Sequence, residues 1–315
     1  MYKTIFLSGQ SDSVSEILRN AMPQGFCLDV FPSSLSESEK AERVQDVEFI
    51  ILHPAVIGRV ELQNAKKMRH IQLLTAGYDK VDLSATSELG ITVATNGGAN
   101  AWAVAEQTIA LLLCLYRRIV QCDHSVRTGT WRKPITGMNT FELAGKTVGL
   151  LGVGNIGGKV ARRLQAFETR IVYHDRFRKP GDEDWESVSL ETLLRESDVL
   201  SVHLPLTAET RGLIGANELA LMKPSAVIIN TSRAEVFDEA ALEEALRAQR
   251  IAGAGLDVFH HEPVAATSGL VTLENVVLSP HSAGHTYEAW FRRAAFAWEN
   301  IQRVVAGEAP HSLAR

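Results

Sequence analysis

Three short polar passages follow apolar runs in the second half of the chain. Asn230-Thr231-Ser232-Arg233 comes after residues 227–229, and His260-His261-Glu262-Pro263 after Gly255-Leu256-Asp257-Val258-Phe259. Ser279-Pro280-His281-Ser282-Ala283-Gly284 comes after residues 276–278. Each run has strand length, and in an open parallel sheet ligands bind at the carboxyl ends of the strands. An arginine, a carboxylate and a histidine from three such ends suit a 2-oxo or 2-hydroxy acid. A guanidinium holds a carboxylate with a planar fork and polarises the carbonyl beside it. A histidine supplies or removes the proton at the carbonyl oxygen near neutral pH. A glutamate on its other ring nitrogen fixes the tautomer and stabilises the imidazolium. Arg233, Glu262 and His281 are therefore the expected catalytic residues. Taken singly, His281 is equally a turn residue after proline, and Arg233 an ion-pair partner for Glu235 or Asp238. The three together carry the reading. His260, His261 and Glu262 lack the further ligand spacing that zinc needs, so no metal is expected.

A second constellation supplies the other half of such a reaction. The apolar run 148–151 leads into Gly152-x-Gly154-x-x-Gly157, and a helical pattern follows at residues 160–164. The first glycine permits a tight turn, the second lets a pyrophosphate approach the backbone, and the third lets helix and strand pack closely. Asn155 and Ile156 lie inside this loop, and the helix start offers free N–H groups to phosphates. Asp175 lies 18 residues beyond Gly157, placed to accept hydrogen bonds from the adenosine ribose. Its charge favours NAD over NADP, since a 2′-phosphate beside a carboxylate is repelled. Against that stand Arg176, Arg178 and Lys179, because an arginine there can hold a 2′-phosphate. The cofactor is expected to be NAD or NADP, with NAD preferred.

The elements that position these groups alternate in type. Residues 2–7, 48–52, 70–74 and 91–94 read as strands, with helical spacing at 14–20 and 60–67. A long helical stretch runs from residue 101 to about 126, apolar enough all round to be buried. Six further strands are expected at 148–151, 171–173, 199–202, 227–229, 253–256 and 276–278, and an amphipathic helix at 287–306. Strand–helix alternation of this kind gives an α/β protein with parallel sheets covered on both faces.

The bulk properties exclude several classes. Of 315 residues, 45% are hydrophobic and 22% charged, with a formal net charge of −5, so nothing marks a nucleic-acid or anionic-membrane footprint. The apolar run 109–116 is too short to span a bilayer. The first residues carry too small an apolar block for a secretory signal. Cys27, Cys114 and Cys122 form no C-x-x-C pair, which suits a reducing compartment. A cytoplasmic enzyme is expected.

With these motifs in order, the chain resembles the D-isomer-specific 2-hydroxyacid dehydrogenases, among them phosphoglycerate, glycerate, glyoxylate and D-lactate dehydrogenases. The likeness runs through Gly77-Tyr78-Asp79-x-Val81-Asp82, Asn100-Ala101-x-x-Val104-Ala105-Glu106 and Gly129-x-Trp131. It continues in Glu142-Leu143-x-Gly145-Lys146, the glycine loop, His203-Leu204-Pro205-Leu206-Thr207-x-x-Thr210 and the three strand-end passages. The resemblance implies two Rossmann-like domains. A discontinuous substrate domain, residues 1–98 plus 285–315, would be hinged to a dinucleotide-binding domain, residues 99–284, and residues from about 101 to 138 would form a homodimer contact. It also implies that Asp257 meets the nicotinamide carboxamide. His203, Pro205, Thr210, Thr231, Ser232 and Gly284, with Arg233 and His281, would line the cofactor. The backbone at Ala76, Gly77 and Tyr78, together with His53, would face the substrate.

Three positions depart from the family pattern. Ala234 replaces the glycine usual after the catalytic arginine, and Thr75 replaces the first glycine of the carboxylate-binding turn. His53-Pro54 stands where some relatives carry an arginine toward the substrate. The last two leave the substrate open. Formate dehydrogenases pair the histidine with glutamine, which Glu262 argues against. A phosphite-type dehydrogenase on the same scaffold and a dinucleotide-sensing corepressor-like binding protein are the alternative readings.

Overall fold

The computed structural model describes residues 1–176 and 185–314 and divides the chain into two compact units, Met1–Asn100 with His285–Arg315, and Ala101–Gly284. Both are α/β, each built on a parallel sheet, as the alternation of strands and helices predicts. No helix among the described residues is long and apolar enough to cross a membrane.

The first unit carries β1 (Tyr2–Ser8), β2 (Phe26–Pro32), β3 (Phe49–His53), β4 (His70–Leu73) and β5 (Thr92–Ala94), in the order β2-β1-β3-β4-β5 with every neighbour parallel. All five residues of β3 are buried, so the strand is apolar on both faces as a central parallel strand must be. Ile5, Leu7, Ile50 and Leu52 pack on one side of the sheet. Phe6, Phe49 and Ile51 pack on the other, against Trp290, Ala294 and Trp298 of the helix Tyr287–Val305. The Trp298 indole donates to the Leu18 carbonyl at 2.8 Å, which ties that helix to the helix Asp12–Asn20. Helix starts are capped in sequence-legible ways. Ser36 and Glu39 form a reciprocal capping box, and Asp82 and Thr286 accept from Ala85 and Ala289. Four of these strands are expected from the sequence; β2 and the helix Glu37–Arg43 are not. β2 is an edge strand whose pattern is interrupted by exposed Asp29 and closed by Pro32.

The second unit carries β6 (Thr147–Leu151), β7 (Arg170–His174), β8 (Glu186–Ser187), β9 (Val199–Val202), β10 (Val227–Asn230), β11 (Gly253–Leu256) and β12 (Val276–Leu278). Their order is β12-β11-β10-β9-β6-β7-β8, again with all neighbours parallel. The six expected strands are present. β8 is a seventh, two exposed residues at the edge that carry no hydrophobic signal. The stretch expected as one helix from residue 101 to about 126 is two, Ala101–Tyr116 and Ile119–Arg127. The break falls at Arg118, which adopts φ 50°, and a left-handed residue cannot continue a right-handed helix. The helix Ala101–Tyr116 lies close on the sheet because Gly253 and Gly255 leave room. A Cβ at Gly255 would sit 3.0 Å from Leu111 Cβ, and one at Gly253 would sit 3.1 Å from Leu115 Cδ1.

Strand order reverses between β1 and β3 in the first sheet and between β6 and β9 in the second. Beyond the carboxyl ends of such strand pairs a crevice opens that doubly wound sheets use for ligands.

Candidate active site

In the second unit the glycine loop leaves β6 at this switch point. Gly152 has φ +93°, a conformation that side chains resist. A Cβ there would also lie 3.1 Å from the His203 carbonyl. A Cβ at Gly157 would run into the Gly152 carbonyl oxygen, so the third glycine serves packing. Nothing lies within 4 Å of a Cβ built on Gly154. The backbone is thus open at the residue where a pyrophosphate must approach, and the helix Gly157–Gln165 starts behind it. Asp175, one residue past β7, accepts from the Val153 amide at 2.6 Å. That bond pins its carboxylate beside the loop, where the adenosine ribose is expected. Arg176 is exposed. Arg178 and Lys179, weighed above for a 2′-phosphate, lie outside the described residues.

The opposite side of the crevice follows β9. His203 bonds Ser201 Oγ through Nε2 at 2.9 Å, while its Nδ1 is buried with no partner. Burial pushes the His203 pKa down to about 4, so the ring is neutral at physiological pH. An enclosed nitrogen without a partner, next to an open glycine backbone, fits a bound dinucleotide. Thr210 Oγ1 donates to the Pro205 carbonyl at 2.7 Å and accepts from the Thr207 amide at 2.8 Å, which holds the turn after His203 in shape.

The three catalytic candidates project from β10, β11 and β12, whose parallel register places all three carboxyl ends on one edge. Asn230 folds back on its own turn. Its Oδ1 accepts from the Ser232 amide and hydroxyl, and its Nδ2 donates to the Arg233 carbonyl at 2.9 Å. Thr231 is buried and bonds Thr108 at 2.9 Å. The Arg233 guanidinium donates to the Ser232 carbonyl at 2.8 Å. Glu262 uses one oxygen to accept from the Phe259 amide at 3.1 Å and the other to meet His281 Nδ1 at 2.8 Å. A carboxylate accepts only, so Nδ1 holds a proton and Nε2 is the ring nitrogen left able to give or take one. His281 adopts φ 51°. A non-glycine residue kept in that region costs free energy and marks a position its surroundings enforce.

Asp257 supplies that enforcement. It is fully buried, with Oδ1 accepting from Ser279 Oγ at 2.5 Å and the Ser282 amide at 3.0 Å, and Oδ2 from the Ala283 amide at 2.9 Å. The resemblance assigns Asp257 to the cofactor amide and gives no hint of this anchoring of the His281 turn. The signal available was a carboxylate inside an apolar strand end. His260 Nε2 donates to the Phe237 carbonyl at 3.1 Å, a structural use. Among the described residues no three His, Cys, Asp or Glu side chains gather around a metal position.

The residues expected on the substrate side belong to the first unit. Thr75 donates to the Gly77 carbonyl at 2.8 Å and braces the turn Ala76-Gly77-Tyr78, a bond the family's usual glycine could not make. His53 is buried at the end of β3, where Gln10 Nε2 meets its Nδ1 at 3.3 Å.

Known proteins place this chain among relatives. The model of the D-isomer specific 2-hydroxyacid dehydrogenase NAD-binding domain matches residues 109–283. A glyoxylate reductase of Aeropyrum pernix is 45% identical over 260 residues, covering 80% of this chain and 78% of that protein. Among solved structures, the TT0316 protein of Thermus thermophilus superposes with TM-score 0.89 at 35% identity, covering 99% of this chain and 100% of that one. An NADPH-dependent glyoxylate/hydroxypyruvate reductase of Sinorhizobium meliloti, solved with NADP and malonate, gives 0.86 at 28% identity, covering 99% and 96%. A family match across more than half the chain, joined to such relatives, makes this protein an NAD(P)-dependent oxidoreductase belonging to the D-isomer specific 2-hydroxyacid dehydrogenases.

Proposed function

We propose that the chain interconverts a small 2-oxo acid and its D-2-hydroxy acid, with Arg233 holding the substrate and His281 moving the proton. The observation that carries this reading is the 2.8 Å bond from His281 to Glu262, made by a histidine in a left-handed turn. A dinucleotide held by its pyrophosphate at the glycine loop would supply or take the hydride at C2. Arg233 forks the carboxylate and polarises the carbonyl oxygen. His281 Nε2 gives a proton to that oxygen in reduction and removes it from the hydroxyl in oxidation, while Glu262 holds the ring and offsets its charge. Ala76, Gly77, Tyr78 and His53, all in the first unit, are the further residues that the family resemblance assigns to the substrate.

Glyoxylate is the first substrate to test, because the Aeropyrum pernix relative bears that activity in its name. Asp175 beside the glycine loop supports NAD over NADP. A homodimer is supported by Ile119, Val120, Val126, Trp131, Ile135 and Met138. All six are exposed within the stretch expected to form the dimer contact. A cytoplasmic setting suits the three free cysteines.

Arg233→Ala and His281→Ala should each lower kcat/KM for glyoxylate by about 10²–10⁴. His281→Ala should leave the NADH dissociation constant within about twofold of wild type, and Glu262→Gln should lower kcat with little change in KM. Near-normal turnover by His281→Ala would remove the acid/base assignment.

A further inference from the structure

The crevice at the switch point of the first sheet is marked by two polar side chains. Gln10 lies two residues past β1 and His53 ends β3, and the Gln10 amide donates to His53 Nδ1 across the gap at 3.3 Å. An amide nitrogen only donates, so the bond places the imidazole proton on Nε2. The His53 ring packs edge-on against Trp290 at 5.1 Å, and His285 stacks on the same indole at 5.5 Å. The two imidazoles are 5.5 Å apart. Arg293, about one helical turn beyond Trp290, lays its guanidinium over that indole at 4.4 Å.

Arg293 is only 3% exposed, and its Nε and Nη1 are buried with no hydrogen-bond partner. Its charged neighbour is Arg292, another cation. Burial and that repulsion push its pKa down to about 10, which still leaves it charged at neutral pH. Buried cations are ordinarily paired, because an uncompensated charge in the interior is strongly destabilising. A purely structural cation–π role explains the stacking on Trp290 and leaves the two orphaned donors without a reason. No described residue supplies a carboxylate to Arg293, which leaves its two buried donors for a group from outside the chain.

We propose that Gln10, His53, His285, Trp290 and Arg293 form an anion subsite in the first unit that takes a small carboxylate. Arg293 supplies the charge, His53 Nε2–H a neutral donor, and Trp290 the plane on which the guanidinium is fixed. The site deepens the proposed function and rests on it only for the carboxylate's source. That source is the second acidic group of a 2-oxo dicarboxylic acid or a free anion of the same chemistry.

The test uses the full chain with succinate as probe, in an Arg233→Ala background so that the catalytic arginine does not contribute. Succinate at about ten times its dissociation constant should raise the melting midpoint by about 2 °C or more. Adding Arg293→Met, which keeps an apolar stem against Trp290, should abolish that rise. Adding His53→Phe should weaken succinate at least about threefold, in line with one lost hydrogen bond. An Arg233→Ala protein indifferent to succinate, or an Arg293→Met protein that responds equally, overturns the site. In the otherwise native enzyme, a tenfold or larger fall in kcat/KM for oxaloacetate relative to glyoxylate on Arg293→Met assigns the carboxylate to substrate. A lost thermal response with an unchanged ratio assigns it to a free anion. Because the thermal arm lacks Arg233, it stands even if the catalytic reading fails.

Discussion

The two units solve the same architectural problem with different chemistry. Each winds a parallel sheet outward from a central strand pair and opens a crevice at the reversal of strand order. In the second unit the first strand leads into Gly152 at φ +93° and an open backbone at Gly154, so the crevice is bordered by bare main chain. In the first unit β1 ends in Ser8-Gly9-Gln10, and Ser8 Oγ accepts from the Gln10 amide at 3.0 Å. Gly9 is hemmed in by Ser33 Oγ at 3.0 Å and Pro54 Cδ at 3.2 Å. That crevice is walled by side chains, with imidazoles, an indole and a guanidinium. A shared topology fixes where a ligand binds, and the first few residues after each strand decide what it is.

Matched glycine substitutions probe that contrast most strongly. Gly154→Ala should leave the melting temperature nearly unchanged and raise the NADH dissociation constant about tenfold or more, since the space it fills is the phosphate's. Gly157→Ala should weaken NADH and also cost about 1–3 kcal/mol, because its Cβ meets the Gly152 carbonyl. Gly9→Ala should cost some stability and leave NADH binding within about twofold, as calorimetry can check. If Gly9→Ala weakened NADH as much as Gly154→Ala, the division of labour between the units would be wrong.

Acid should act on both units. Burial pushes His70 in the first and His203 in the second down to about 4. The unfolded imidazole binds its proton near 6.5, before the folded one does. Each therefore contributes stability that is complete above about pH 6.5 and falls away toward pH 4, by up to about 3 kcal/mol. His70 sits between Thr92 and Gln72, and His70→Asn should flatten the acid limb of urea midpoints measured across that window. An equally steep limb would show that its burial is relieved on protonation. The smallest effect concerns cofactor choice. Asp175→Ser removes the negative charge beside the loop and should raise the NADPH-to-NADH ratio of kcat/KM about fivefold to tenfold, equivalent to roughly 1 kcal/mol of repulsion. A wild-type enzyme that already prefers NADPH would contradict the NAD preference drawn from Asp175.

Local signals made the second unit readable. The run from Val148 to Gly157 states strand, turn and helix within ten residues, and the polar residues after β10, β11 and β12 stand out against apolar strands. Long-range effects hid the rest. Asp29 and Pro32 disguised β2 because an edge strand tolerates both. The apolar pattern runs past Arg118, and only its left-handed backbone shows that the helix ends there. Asp257 reads as a polar strand end, yet its partners lie more than twenty residues later. Arg293 sits on an amphipathic helix where an arginine suggests a wet face, and only folding reveals that Trp290 covers it.

The first unit is made of two pieces of chain, and the second lies wholly between them in sequence. β5 is bridged through Ala94 to Leu313, and the helix Asp12–Asn20 is tied to Trp298. During synthesis the N-terminal hundred residues therefore emerge first and are completed last. The 184 residues Ala101–Gly284 are available to fold before the stretch that closes the first sheet's core has been made. The order of translation and the order of completion are reversed in this chain, so exposed β1 and β3 surfaces must wait on the nascent chain until the helix Tyr287–Val305 arrives.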